Sequence, residues 1–136
     1  WTDSSSIPDI KGVYLVLTSP GNNPSFLKKG VGGFFKGKDP NVSIDILTKK
    51  WLSAVQVVYI GKATSLRKRL RQYLHFGQNK NVGHYGSRYI WQLSHHAELV
   101  FCWKPTLKEN PGDIERQLLI EFCRQNNDCT PFANLK

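Results

Sequence analysis

Arg69, Glu115, Tyr14 and Tyr59 are the residues whose types and positions could do chemistry together. Arg69 sits in a basic stretch that reads as helix. On a helical wheel Arg67, Lys68 and Arg71 point away from the Leu66, Leu70, Leu74 stripe, whereas Arg69 falls at its margin, between Tyr73 and Phe76. The ordinary fate of such a guanidinium is to snorkel to water. Glu115 falls in the first turn of the last expected helix, where the helix dipole alone favours a carboxylate. Its direction says more: Leu118, Leu119 and Phe122 lie three, four and seven residues on, which places Glu115 near the face that meets the sheet. A carboxylate there needs a partner, either a metal ion or a buried Arg. Tyr14 and Tyr59 fall on two apolar stretches that read as strands, where a Tyr is ordinarily a core aromatic. If both face Arg69 and Glu115, their hydroxyls complete a polar cluster the size of a phosphate.

Positioning these groups takes strands and helices in a definite order. Gly12 to Thr18 is β-rich and mostly apolar, a buried strand ending at the turn signal Ser19-Pro20-Gly21-Asn22. From there to about Ser53 the pattern is irregular, and Gly30 to Lys38 is too Gly-rich for a regular element. A loop of that length in a compact domain is functional or mobile; a short helix closes it at Ile44 to Trp51. Val55 to Gly61 is the clearest strand. Thr64 or Ser65 caps the next helix, which carries Leu66, Leu70, Tyr73 and Leu74 on one face and ends at Gly77. A further helix covers part of Tyr85 to Leu93, Glu98 to Trp103 forms a third strand closed by Pro105, and Asp113 caps the last helix. The expected fold is α/β of the α+β kind. It is a small three-stranded, largely antiparallel sheet flanked by helices, with a long basic loop between the first two strands. One domain spans 1–136, and 19–53 is a Gly/Lys-rich insertion within it.

Composition narrows the partners. The chain has 19 Lys and Arg against 10 acids, a formal charge of +9, which speaks for association with a polyanion. The charge is clustered: Lys62 to Arg71 holds five bases and no acid, and Lys28 to Lys50 holds six Lys against Asp39 and Asp45. No apolar run reaches the roughly 20 residues that cross a bilayer, and the first ten residues lack a signal peptide's pattern. Cys102, Cys123 and Cys129 form no CxxC pair and cannot all pair internally, so a disulfide framework is not expected and a reducing cytoplasm fits. Zinc held by these thiols with His95 or His96 matches no common spacing; small buried hydrophobes is the better reading. The chain holds no Met, which leaves room for partner domains beyond this stretch.

Five segments, Gly12-Val13-Tyr14, Tyr59-Ile60-Gly61-Lys62-Ala63, Leu66 with Arg69 and Tyr73, Glu115, and Pro131-Phe132-Ala133-Asn134, resemble in order the motifs of the GIY-YIG nuclease family. The stretch from Tyr59 to Tyr73 is most similar to the N-terminal incision domain of the bacterial nucleotide-excision-repair nuclease. The resemblance implies a metal-dependent endonuclease that hydrolyses DNA phosphodiesters. Glu115 would then be the single protein ligand of Mg2+ or Mn2+. Tyr14 would be the general base or would orient the attacking water; as a base it needs its pKa lowered, by the ion and by Lys62. Arg69 would hold the scissile phosphate with its donor fork. Tyr59, Tyr73 and Asn134 would position water and phosphate, and Lys62 would add positive charge.

The departure from the family's shorter members is the stretch from Thr18 to Ala54, where they have a tight turn of about ten residues. Its Lys28, Lys29, Lys36 and Lys38, with Phe34 and Phe35 among glycines, suit a DNA backbone, as do Arg67, Lys68 and Arg71 on the basic helix. The same loop equally suits a protein partner or a stiff lid. Double-stranded DNA is expected ahead of single-stranded. A dimer or an additional DNA-binding domain is one way for so small a domain to gain specificity. Two other functions compete. A non-cleaving or partner-dependent DNA-binding module of the same fold would use Arg69 and Glu115 as a structural ion pair. A scaffold bound through the Gly/Lys loop would show little salt dependence, whereas phosphate binding falls steeply with salt.

Overall fold

A computed structural model describes residues 6–19, 24–33, 37–76 and 85–135. Its sheet has three strands, β1 (Gly12–Leu17), β2 (Val57–Ala63) and β3 (Val100–Pro105), in the order β2-β1-β3 with both pairings antiparallel. The near-continuous apolar run of β1 is that of a central strand covered on both faces. Alternation puts Gly12, Tyr14 and Val16 on one face and Val13, Leu15 and Leu17 on the other. β2 starts two residues later than the Val55 start read from the sequence. Gln56 precedes it, its carbonyl accepting the Thr18 amide at 2.8 Å, and the β1–β2 register shifts between Val16 and Leu17. The end of the pairing is thus set by that irregularity and not by β propensity.

Three α-helices accompany the sheet: α1 (Ile44–Lys50), α2 (Leu66–Phe76) and α3 (Pro111–Gln125). A 3-10 helix covers Tyr85–Gln92. Ser65 caps α2 by accepting the Lys68 amide at 3.2 Å. The Leu66 and Arg67 amides are taken by the carbonyls of Ile10 (2.8 Å) and Pro8 (3.2 Å), so the chain leading into β1 closes the start of this helix. α2 then lays Leu66, Leu70 and Tyr73 in the core. Leu66 comes so close to the sheet that a Cβ on Gly12 would stand 2.7 Å from its Cδ1. For α3 the cap is Asn110, whose side chain accepts the Gly112 amide at 2.8 Å, and not Asp113. Pro111 has its φ already set for a first helical position, which puts the cap one residue before it; Asp113 instead pairs with Arg116 at 2.7 Å.

The segment between β1 and β2 is docked on the body over much of its described length. Gln92, 1% exposed, donates from Nε2 to the carbonyls of Leu27 (3.0 Å) and Val42 (2.9 Å), and its Oε1 accepts the Val42 amide at 2.9 Å. Leu47 of α1 is fully buried, a contact that contributes about 1.5–3 kcal/mol. Trp51 packs against Phe132 and Phe26, with ring centroids 5.1 and 6.1 Å away. Lys50 fixes the end of α1 to the last turn of the chain, its Nζ donating to Thr130 Oγ1 at 2.7 Å. Phe34, Phe35 and Lys36, read above as DNA contacts, lie outside the described residues, as does Gly77. No helix among the described residues is long and apolar enough to cross a membrane.

Candidate active site

The site starts from a strand register. Tyr14 on β1 stands opposite Gly61 on β2, and the tyrosine ring lies over that glycine. A Cβ at Gly61 would come 2.4 Å from Tyr14 Cζ and 2.6 Å from its hydroxyl oxygen. The missing side chain is what lets the Tyr14 hydroxyl cross to the β2 side, where Tyr59 projects from the same face. The two rings are 5.8 Å apart between centroids, and their hydroxyls are hydrogen-bonded. Behind them, Phe101 stacks on Tyr14 at 4.9 Å. Tyr73 of α2 fills the core between Trp91 (4.8 Å) and Phe101 (6.2 Å).

Two charges converge on this tyrosine pair from different helices. Arg69 of α2 is half-buried, and its charge favours ionisation of both Tyr14 and Tyr59. Glu115 belongs to the half-buried stripe of α3 with Pro111, Leu118, Leu119 and Phe122, and its charge disfavours ionisation of Tyr59. Neither charge is neutralised by a neighbour: among the described residues the ion pairs are Arg116–Asp113 and Arg124–Glu121. The half-buried guanidinium acts on both hydroxyls and the half-buried carboxylate on that of Tyr59, and the two are not bridged to each other, which leaves their hydrogen-bonding and ligating atoms available.

Burial dominates the proton chemistry. It pushes the Tyr14 hydroxyl well above its ordinary range; the neighbouring Tyr59 adds to that, and Arg69 opposes it. Tyr59 and Tyr73 are raised for the same first reason. The direction is opposite to the one a tyrosine base needs, and Lys62 is not among the groups acting on Tyr14. Lys62 pairs with Val13, so its side chain leaves β2 on the opposite face, with Nζ 3.4 Å from where a Cβ on Gly112 would stand. Its charge sits at the first turn of α3.

Asn134 does different work from that of a group touching substrate. Its Oδ1 accepts the Ile60 amide at 2.9 Å and its Nδ2 donates to the Ile60 carbonyl at 2.9 Å. The Ala133 amide adds a bond to the Val58 carbonyl at 2.8 Å. The side-chain amide thus serves as a short substitute strand on the free edge of β2, holding the backbone between Tyr59 and Gly61. Of the other basic residues, Lys28, Lys29, Lys38, Lys68 and Arg71 are exposed, whereas Arg67 is half-buried with Nε donating to the Ile7 carbonyl at 2.7 Å. Sequence reasoning missed Gln92, which organises the segment between β1 and β2; a Gln between Ile90-Trp91 and Leu93 was the available signal.

A cation fits the donor set in one form only. No group of three or more His, Cys, Asp or Glu side chains gathers among the described residues, and the three cysteines are free thiols, two of them exposed. A single half-buried carboxylate beside a hydroxyl suits a hard divalent ion that keeps most of its water shell.

An antiparallel sheet carrying a tyrosine pair, with an Arg from the following helix and a carboxylate from the last, defines a small α+β domain. The sequence matches the family described as GIY-YIG domain-containing protein over residues 36–132, and the chain belongs to that family. GIY-YIG domains are generally nucleases that act on DNA and use divalent metal ions. Gly12-Val13-Tyr14 precedes the matched range; the β1–β2 register is what brings Tyr14 to Tyr59. Comparison with curated proteins and with solved structures gave no match.

Proposed function

We propose that this domain is a divalent-metal-dependent endonuclease that hydrolyses DNA phosphodiesters, preferentially in double-stranded DNA, at Tyr14, Tyr59, Arg69 and Glu115. The observation that carries this reading is that Arg69 and Glu115 both act on Tyr59, and Arg69 on Tyr14 as well, without forming an ion pair with each other. Glu115 would hold Mg2+ or Mn2+, which when bound supplies Lewis acidity toward the phosphate. Arg69 binds the scissile phosphate through its donor fork and stabilises the charge that grows on it. Tyr59, next to Glu115, orients the reacting groups. Tyr14, whose hydroxyl pKa burial raises above its ordinary range, acts by hydrogen bonding in this reading, positioning the attacking water together with Tyr59. Tyr73 supports both rings from the core, Asn134 fixes β2, and Lys62 adds positive charge at the start of α3. Lys28, Lys29, Lys36, Lys38, Lys68 and Arg71 supply contacts to the DNA backbone, with Arg67 partly committed to Ile7.

Residues 1–136 act as one unit in this reading, with 19–53 as an insertion relative to shorter family members, and the similarity of Tyr59 to Tyr73 to the repair incision domain extends to the reaction. A reducing cytoplasm is the expected setting, and a second DNA-binding domain or a dimer supplies specificity. The competing binding-module reading needs an Arg69–Glu115 ion pair, which the geometry does not favour. The test is incubation of supercoiled plasmid with the protein in Mg2+, in Mn2+ and with chelator. Nicked or linear product only with metal is the expected result; intact plasmid in every metal, with DNA still bound, would move the assignment to the binding module.

A further inference from the structure

Beside the edge of β2 lies a groove lined by Ile46, Lys49 and Lys50 of α1, Arg88 and Tyr89, and Asn134 with Leu135. Its lining holds three cations and no acid. Lys50 is turned inward onto Thr130 and Pro131, and burial lowers its pKa. Lys49 is exposed, and the Arg88 guanidinium is held 5.5 Å from the centre of the Tyr89 ring. Tyr89 is braced in turn by Phe132, 5.9 Å away. Ile46 presents an apolar side chain that is 47% exposed. Cations over an aromatic and aliphatic floor match a sugar–phosphate chain, whose phosphates seek charge and whose sugars and bases seek flat apolar surface.

The groove is joined to the site by one residue. Asn134, which lines it, is bonded to Ile60, the residue between Tyr59 and Gly61. The groove therefore borders the β2 edge at Ile60, one residue from Tyr59 in the chain. The docked position of α1 is fixed by Leu47, Trp51 and Lys50, so Lys49 is presented by a rigid element.

We infer that this groove is a second DNA contact, in which Lys49 and Arg88 hold backbone phosphates flanking the scissile one while Tyr89 and Ile46 support the sugars or bases between them. The inference rests on the nuclease reading above, and it gives the inserted segment a defined task through α1. None of Lys49, Arg88 and Tyr89 belongs to the motifs that carry the reaction.

The test uses the full chain with Glu115→Gln, expected to bind without cutting, and a fluorescent duplex of about 30 base pairs, long enough to extend more than one turn to either side of a central cut. Into this background go Lys49→Ala, Arg88→Ala, the charge-keeping Lys49→Arg and Arg88→Lys, and Lys108→Ala as a charge-matched control. Each alanine variant is expected to weaken binding about 3- to 10-fold and to reduce the slope of log affinity against log salt by about one. The charge-keeping variants should restore the slope, and Lys108→Ala should leave it unchanged. Equal affinity and slope in all variants, while the parent chain still cuts plasmid, would overturn the groove alone. A parent that neither cuts nor binds DNA in a salt-dependent way would overturn the nuclease reading and the groove with it. Weakening that appears without a change in slope would assign the groove to packing and not to phosphate.

Discussion

Gly61 and Tyr14 are a single device written as two letters in distant segments. The ring of Tyr14 occupies the space a Cβ at position 61 would need, so Gly61→Ala must push the ring off β2 or the strands apart. Overpacking of this kind costs about 1–3 kcal/mol; urea unfolding should show that loss, together with a fall in cleavage larger than the stability loss explains. Tyr14→Phe keeps the ring and removes only the hydroxyl. It should leave the urea midpoint nearly unchanged while lowering the cleavage rate by about 10²-fold or more, the range of a lost positioned donor. Both tyrosines and both glycines were legible as letters in short motifs. The sign of the Tyr14 pKa shift was not, because the burial that sets it comes from Phe101 and from α2, residues that a reading of β1 and β2 alone cannot place over the ring.

At the scale of elements, the strands, the basic helix and the last helix followed from periodicity and punctuation. The ends did not: Asn110 and not Asp113 caps α3, because Pro111 decides where the helix can begin. The segment between β1 and β2 shows a deeper limit. Its glycines and lysines read as an open loop, yet its described part is held by the amide of Gln92 and by Leu47 and Trp51, partners more than 40 residues away for Gln92 and Val42. Gln92→Leu, which keeps volume but removes three hydrogen bonds, should leave buried carbonyls and an amide unpaired. Limited proteolysis should then cut between residues 24 and 53 several-fold faster than in the parent. Asn134→Ala removes both bonds to Ile60 and should lower stability by about 2–3 kcal/mol, read from the urea midpoint. It should weaken cleavage through the displaced β2 strand while leaving metal affinity within about 2-fold, as expected for a residue that acts on Glu115 only at a distance.

Across the whole molecule, a fold built around buried tyrosines has a definite response to alkali. The folded hydroxyls of Tyr14, Tyr59 and Tyr73 hold their protons above the ordinary range, while tyrosines of the unfolded chain ionise above about pH 10. Above that pH the unfolded state binds fewer protons, so stability falls as pH rises, by up to about 1.4 kcal/mol per pH unit for each tyrosine, and is intact below it. Urea midpoints measured between pH 8 and 11 should be flat and then drop steeply, and Tyr73→Phe should make the drop shallower. The net charge of +9 was legible as a liking for polyanions, but not where the charge would be displayed: Arg67 and Lys50 turned out to be tied to backbone carbonyls. The central claim is that Arg69 and Glu115 serve one reaction centre. The most direct measurement is the single-turnover rate of plasmid cleavage in Mg2+ by the parent, Glu115→Gln, Arg69→Ala and the double variant. Residues acting as a unit give non-additive losses, so each single change should abolish nearly all cutting and the double should lose little more; cutting that persists in Glu115→Gln, or losses that simply multiply, would contradict a shared site.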